Sequence, residues 1–310
     1  MALIFSSGGG RLGNQILNLI HLIALSEEYN IKILKVNDSF LTSKDKAFMY
    51  SIDVKKVNWE INNYSIGDSF IYKILQKIFI RFLHIYFFIS LKAKSYKIGS
   101  ENNYPKFILG KQLKNGFSIK KLIKEAEISN VVISGWGLRD WELVNKNKKI
   151  IINHLTRGIK NFLKDKTYPR NDYLLVHIRR TDFLELSEYK DLNFNDEIWF
   201  KSILKLCQKK YINSVVIFSD SNISINLIKS LKDQDINVVI PESKGKSIFL
   251  KLFFSYISNA NSVICNCSSL VLSASFLFHE NVYLPSKQKD YQKVFIEDAH
   301  ISYPSILNWN

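Results

Sequence analysis

Five prolines and twelve glycines are few for 310 residues, so the chain has little room for long irregular tracts. Cysteine is scarcer still. Cys207, Cys265 and Cys267 make an odd count with no spaced framework, which points to reduced thiols in a cytosolic protein. Cys265 and Cys267 sit among apolar residues and are expected to be buried, inert sulfur, not metal ligands. Acidic side chains are also in short supply: 28 against 43 lysines and arginines, a formal charge of +15. Such an excess favours an anionic partner, and nucleic acid, anionic lipid and sugar nucleotides all satisfy it. No recognised nucleic-acid motif accompanies the charge, and the lysines are spread along the chain, not interleaved with aromatics. A nucleic-acid partner is therefore not expected. The opening Met1-Ala2-Leu3-Ile4-Phe5 has no basic segment ahead of an apolar stretch, so no signal peptide is expected.

What is present is apolar material, 46% of the chain, with 21 phenylalanines and 15 tyrosines. It is arranged as strand, helix, strand from the start. Ala2 to Phe5 reads as a strand ended by Ser6-Ser7-Gly8-Gly9-Gly10. Ile16, Leu17, Leu19, Ile20, Ile23 and Ala24 then keep a helical period, and Ile31 to Val36 reads as a second strand. Val131 to Ser134 is a further strand running into Gly135-Trp136, followed by a lysine-rich helical stretch from Glu142 to Lys166. From Tyr173 the alternation is clearer. Strands are expected at 173–178, 215–219, 237–240, 263–265 and 282–284, with helices at 197–209, 224–231, 246–257 and 270–278 between them. This pattern implies parallel sheets with helices on both faces. The expected class is α/β: two Rossmann-like domains facing a cleft, the GT-B architecture, divided as 1–165 and 166–310.

Four segments could carry chemistry. Gly8-Gly9-Gly10-Arg11-Leu12-Gly13-Asn14-Gln15 joins a strand to a helix, where backbone N–H groups favour an anion. Gly8, Gly10 and Gly13 also satisfy G-x-G-x-x-G, with Asp38 after the second strand. This keeps open a dinucleotide site in an NAD(P)- or flavin-dependent oxidoreductase, and equally a tight turn with no ligand. His177-Ile178-Arg179-Arg180-Thr181-Asp182 lies at a strand's carboxyl end, where open α/β sheets bind ligands. Two arginines fed by an apolar strand are costly to desolvate without an anion, and a guanidinium matches phosphate bidentately. Alternation puts His177 and Arg179 on one face and Arg180 on the other. Phe218-Ser219-Asp220 ends another strand, as a ligand for a ribose or a guanine edge or as a helix cap. Asn266-Cys267-Ser268-Ser269 opens a helix, as a diphosphate site or again as a cap.

The N-terminal Gly9-to-Gln15 segment and the His177-to-Asp182 segment together resemble glycosyltransferase family 11, the α-1,2-fucosyltransferases. That family lies within a wider group that includes the α-1,6- and protein O-fucosyltransferases. Phe218-Ser219-Asp220, the Asn261-to-Phe276 stretch and Gly135-Trp136 are similar to the group's other motifs and occur in the same order. The resemblance implies inverting, metal-independent transfer of L-fucose from GDP-fucose to a glycan hydroxyl, with no cofactor. It implies that Arg179 and Arg180 hold and stabilise the departing β-phosphate, that His177 and Asp220 read guanine, and that Ser268 and Ser269 contact the diphosphate. Asn14, with Gly10 and Gly13, would line the cleft by the sugar. Ser219 falls in the same donor-binding set. Thr181 stands where family 11 has glycine, and Leu270-Val271-Leu272-Ser273 stands where it has tryptophans. Thr181 and Ser268-Ser269 look more like the α-1,6 branch. The branch nonetheless suggested by the N-terminal motif is α-1,2 transfer to a galactose-type acceptor, as in bacterial surface polysaccharide (O-antigen, lipopolysaccharide) assembly.

The one D-x-D, Asp233-Gln234-Asp235, precedes a strand and so faces away from the expected ligand edge. Arginines would then supply the charge stabilisation that a metal ion provides elsewhere. Asp182, Glu185 and Glu188 follow the arginines and are candidates for the base that takes the acceptor's proton. Finally, Phe70 to Leu91 is apolar but carries Lys73, Lys77, Arg81 and His84 at helical spacing. It is too charged for a membrane span and suits either a helix lying on an anionic membrane or a solvated helix face. The expected location is cytoplasmic and peripheral to the inner face of the membrane. The expected acceptor is an oligosaccharide or a lipid-linked glycan.

Overall fold

In the computed structural model the chain divides into two units, Met1–Phe162 and Leu163–Asn310; the division expected from sequence was at 165/166. The structure describes residues 3–7, 12–36, 57–58, 78, 82, 94–98, 111–112, 119–135, 141–163, 172–180, 195–242, 246–266, 268–279, 281–285 and 305–308. Both units are α/β, each built on a six-stranded sheet whose described pairings are all parallel.

The first unit opens with β1 (Leu3–Ser7), α1 (Leu12–Tyr29) and β2 (Lys32–Val36), the βαβ start expected from the apolar periodicity. It continues with β3 (Val57–Asn58), β4 (Lys94–Ile98), β5 (Lys111–Gln112), α2 (Ile119–Ile128), β6 (Val131–Gly135), α3 (Trp141–Lys146) and α4 (Lys148–Leu163). The strand order is β3-β2-β1-β6-β4-β5. α1 is buried from Leu12 through Ser26 except at Asn14, because its residues are apolar nearly all round. Its polar exceptions at the far end are used: Ser26 Oγ donates to the Ile31 carbonyl (2.9 Å), and the Glu28 carboxylate accepts from Lys146 and Asn147 of the α3–α4 corner.

The second unit follows β7 (Leu174–Ile178), α5 (Asp196–Lys210), β8 (Ser214–Ser219), α6 (Ile225–Lys232), β9 (Asn237–Val239), α7 (Lys246–Asn259), β10 (Ser262–Cys265), α8 (Ser269–Phe278), β11 (Asn281–Leu284) and β12 (Ser305–Asn308). The order β12-β11-β10-β7-β8-β9, read from the other edge, is the doubly wound 3-2-1-4-5-6 arrangement. β7 is buried throughout, which explains its unbroken Leu-Leu-Val-His-Ile run. On one face Leu174, Val176 and Ile178 pack with Trp199, Ile203 and Leu206 of α5 and Leu227 and Leu231 of α6. On the other face His177 and Phe218 meet the Phe253 ring of α7 edge-on, at 5.8 and 5.5 Å between centroids. Each such fully buried large apolar side chain contributes about 1.5–3 kcal/mol.

α5 shows why the helices start and stop where they do. Asn195 caps it, its Oδ1 accepting the Ile198 N–H at 2.9 Å. Asp196 and Glu197 occupy the first turn, Lys209 and Lys210 the last, as the helix dipole favours. Tyr211 then takes a left-handed conformation (φ 57°) and ends it.

Candidate functional site

The second sheet reverses its winding between β7 and β10, the place where doubly wound sheets leave a crevice at the strands' carboxyl ends. Arg179 and Arg180 directly follow β7, and Asn266 directly follows β10. Asn266 is 1% exposed and grips Arg179 from both sides. Its Oδ1 accepts the Arg179 N–H at 2.8 Å, and its Nδ2 donates to the Arg179 carbonyl at 2.7 Å. The backbone of an arginine at a strand end is thereby held although the strand pairing has finished.

Arg180 is fixed at its two ends. Its backbone N–H donates to Asp220 Oδ1 at 2.8 Å, and its Nη2 donates to Asp196 Oδ1 at 2.6 Å. Asp220 in turn donates its N–H to the Ile178 carbonyl at 3.4 Å, closing the ends of β7 and β8 together. Ser219 Oγ accepts the Ser221 N–H at 3.1 Å, which tightens the turn beyond β8. Both arginines are half-buried. Arg180 points to the α5 face of the sheet and His177 to the α7 face, as strand alternation requires.

Ser268 is the cap of α8, its Oγ accepting the Val271 N–H at 3.5 Å, and Ser269 is the helix's first residue. The α8 N-terminus therefore opens at the same sheet end as the arginines, and its dipole adds to theirs. Beside β8 a cavity of about 430 Å³ is lined by Phe218, Ser219, Asn222, Ile223, Ile240 and Phe249 among others. Apolar side chains and the Ser219, Ser221 and Asn222 polar groups share its lining, a mixed composition suited to a planar ring with polar edges.

His177 is 5% exposed, and its Nδ1 has no hydrogen-bond partner among the described residues. Burial pushes its imidazole down to about 4; Asp220 opposes the shift and Arg179 reinforces it. The ring is thus neutral and lies beneath the arginine surface. Burial likewise raises the Cys207 and Cys265 thiols, to about 11 and about 12. These two cysteines are buried and unpaired.

The other sequence expectations fall unevenly. Arg179, Arg180, His177, Ser219, Asp220, Ser268 and Ser269 converge on one end of the second sheet. Gly13 and Asn14 form the first turn of α1, the glycine buried and the asparagine half-buried. Gly8, Gly9, Gly10, Arg11, Asp38, Trp136, Cys267, Thr181, Asp182, Glu185 and Glu188 lie outside the described residues. So do Lys73, Lys77, Arg81 and His84; within that segment Ile78 and Phe82 are described, both helical and exposed. Asp233 and Asp235 are exposed in the turn between α6 and β9, at the amino end of β9. Among the described residues no group of three or more His, Cys, Asp or Glu could hold a metal ion, and no helix is long and apolar enough to cross a membrane. Asp196 was not singled out from sequence, and Asn266 stood there only as the first residue of the Asn266-to-Ser269 segment, with no role given to its amide. Asp196 reads there as one more acid in a helix's first turn.

No family model and no curated protein matches the chain. Among solved structures it is similar to POFUT1 in complex with GDP-fucose, at TM-score 0.48 and 13% identity, over 88% of this chain and 93% of that one. It is also similar to the Escherichia coli heptosyltransferase WaaC with ADP, at TM-score 0.45 and 11% identity, over 93% and 88% of the two chains. A third similar structure is the UDP-GlcNAc 2-epimerase of Methanocaldococcus jannaschii, at TM-score 0.43 and 14% identity, over 95% and 86%.

Proposed function

We propose that this protein is an inverting glycosyltransferase that moves L-fucose from GDP-fucose to a glycan hydroxyl. The observation that carries the reading is the pair of arginines at the switch point of the second sheet, clamped by Asn266, Asp196 and Asp220. Cationic groups at that place suit a diphosphate, and the Arg180 guanidinium, held by Asp196, needs little reorganisation when charge develops on it. The neighbouring cavity, with Ser219 in its lining, would take the base.

In the reaction the acceptor oxygen forms a bond to the sugar's C1 as the bond from C1 to the β-phosphate oxygen breaks. The electron pair leaves with GDP, where Arg179 and Arg180 stabilise it, and the hydroxyl proton passes to a carboxylate base drawn from Asp182, Glu185 and Glu188. Nothing in this scheme calls for a metal ion or a cofactor. The resemblance of the N-terminal motif supports α-1,2 linkage to a galactose-type sugar in bacterial surface-polysaccharide assembly. An acceptor carried on lipid would fit a chain held at an anionic membrane by Lys73, Lys77 and Arg81, with exposed Ile78 and Phe82 beside them.

The donor is the part tested most simply. GDP should raise the melting temperature by several degrees at concentrations about 100-fold over Kd, where linkage is worth about 2.7 kcal/mol. UDP and NAD should do much less. Stabilisation by NAD without stabilisation by GDP would replace this reading with the oxidoreductase one.

A further inference from the structure

One carboxylate at the site serves an arginine as well as its own helix. Asp196 is the first residue of α5, but Asn195 supplies the cap of that helix. The Asp196 Oδ1 receives the Arg180 Nη2 donor at 2.6 Å, with the two side chains 34% and 20% exposed. Burial alone would raise the Asp196 carboxyl. The neighbouring Ser224 hydroxyl, the Arg180 hydrogen bond and the Arg180 charge outweigh it and hold the pKa below the ordinary value. Asp196 is therefore a fixed anion, and Arg180 is tied at its backbone by Asp220 and at its guanidinium by Asp196.

We propose that Asp196 is a positioning residue for Arg180, and that this tie presents the guanidinium's remaining N–H groups to the donor's diphosphate. The proposal rests on the reading of Arg180 as a diphosphate ligand. A guanidinium offers five N–H donors in a rigid fork, so occupying one Nη edge leaves others for phosphate oxygens. An arginine held in place loses less rotamer freedom when the anion arrives.

The test is GDP binding by calorimetry, with GDP release from GDP-fucose in water as a second readout, on the full chain carrying Asp196→Asn, Arg180→Ala and Asp196→Asn with Arg180→Ala. Asp196→Asn should weaken GDP binding roughly tenfold, within the range of directly coupled pairs. In the Arg180→Ala background Asp196→Asn should change GDP affinity by less than about twofold, because its effect travels through Arg180. A merely structural Asp196 would lower the melting temperature and cost the same in both backgrounds, which would overturn the proposal. Unchanged or tighter GDP binding by Asp196→Asn, with binding still lost in Arg180→Ala, would also overturn it. GDP binding that survives Arg180→Ala intact, or a wild-type chain that binds no GDP, would remove the reading of Arg180 itself and the proposal with it.

Discussion

The grip of Asn266 on Arg179 can be weighed in numbers. Asn266→Ala deletes two hydrogen bonds of 2.8 and 2.7 Å from a position 1% exposed. Each such bond is worth about 0.5–1.5 kcal/mol net. Arg179 is half-buried, so water can reach part of what is left behind, and the total loss should be about 2 kcal/mol. For a unit of this size that is a fall in melting temperature of roughly 4–8 °C. Asn266→Asp separates the two bonds. It keeps an acceptor for the Arg179 N–H but sets a carboxylate against the Arg179 carbonyl and buries a charge. At pH 7 it should therefore cost more than Asn266→Ala, about 3 kcal/mol or more. Burial raises the folded pKa of the introduced carboxyl above its unfolded value, so the penalty grows as pH rises through the carboxylate range and shrinks as pH falls. Urea unfolding followed by circular dichroism at pH 7 and pH 5 measures each quantity. The reasoning fails if Asn266→Ala stays within about 0.5 kcal/mol of wild type, or if Asn266→Asp is the more stable variant at pH 7.

Three further outcomes follow from the same structure. His177 has a folded pKa of about 4, below its unfolded value near 6.5, so the unfolded state binds the extra proton. Stability should fall as pH drops from about 6.5 to about 4, by up to roughly 3 kcal/mol, and His177→Phe should flatten that part of the urea-midpoint profile; parallel profiles would contradict the assignment. Arg179→Ala should slow transfer by roughly 100-fold or more while EDTA leaves the wild-type rate unchanged, and a rate abolished by EDTA and restored by Mg²⁺ would refute a purely arginine-assisted departure. Joint replacement of Lys73, Lys77 and Arg81 by Glu should weaken cosedimentation with anionic vesicles, whose wild-type binding should fall with salt; equal vesicle binding by both forms would reduce the stripe to a solvated helix face.

The second sheet was legible in the sequence because its strands are short apolar runs punctuated by polar turns. Expected strands and helices from 173 to 284 match the observed elements to within two residues at their ends. Much of the first unit was not. β4, Lys94-Ser95-Tyr96-Lys97-Ile98, carries two lysines and no apolar run, yet it lies between β6 and β5. It is a strand because the edge of β6 is there to pair with, in the register Lys94↔Val131, and backbone pairing does not depend on the side chains. The two-residue strands β3 and β5 and the closing strand β12 are likewise defined by their neighbours.

The site divides in the same way. Sequence alone determines that Arg179 and Arg180, Asp220, and Ser268 stand at the ends of strands or the start of a helix, because local periodicity marks where each element stops. The excess of 43 basic over 28 acidic side chains is countable there as well. Which of these residues meet is decided by the crossovers of the doubly wound sheet. The chain leaves β7, builds β8 and β9 on one side, and returns to lay β10 on the other. That return brings Asn266 to Arg179 across 87 positions of sequence, and the packing of α5 turns Asp196 to Arg180 across 16. Neither partner has a local signature, because an asparagine after a strand and an aspartate at a helix start are each satisfied by ordinary capping. Their roles exist only once the fold has taken them out of that local arrangement and placed a guanidinium or a strand-end amide within 3 Å.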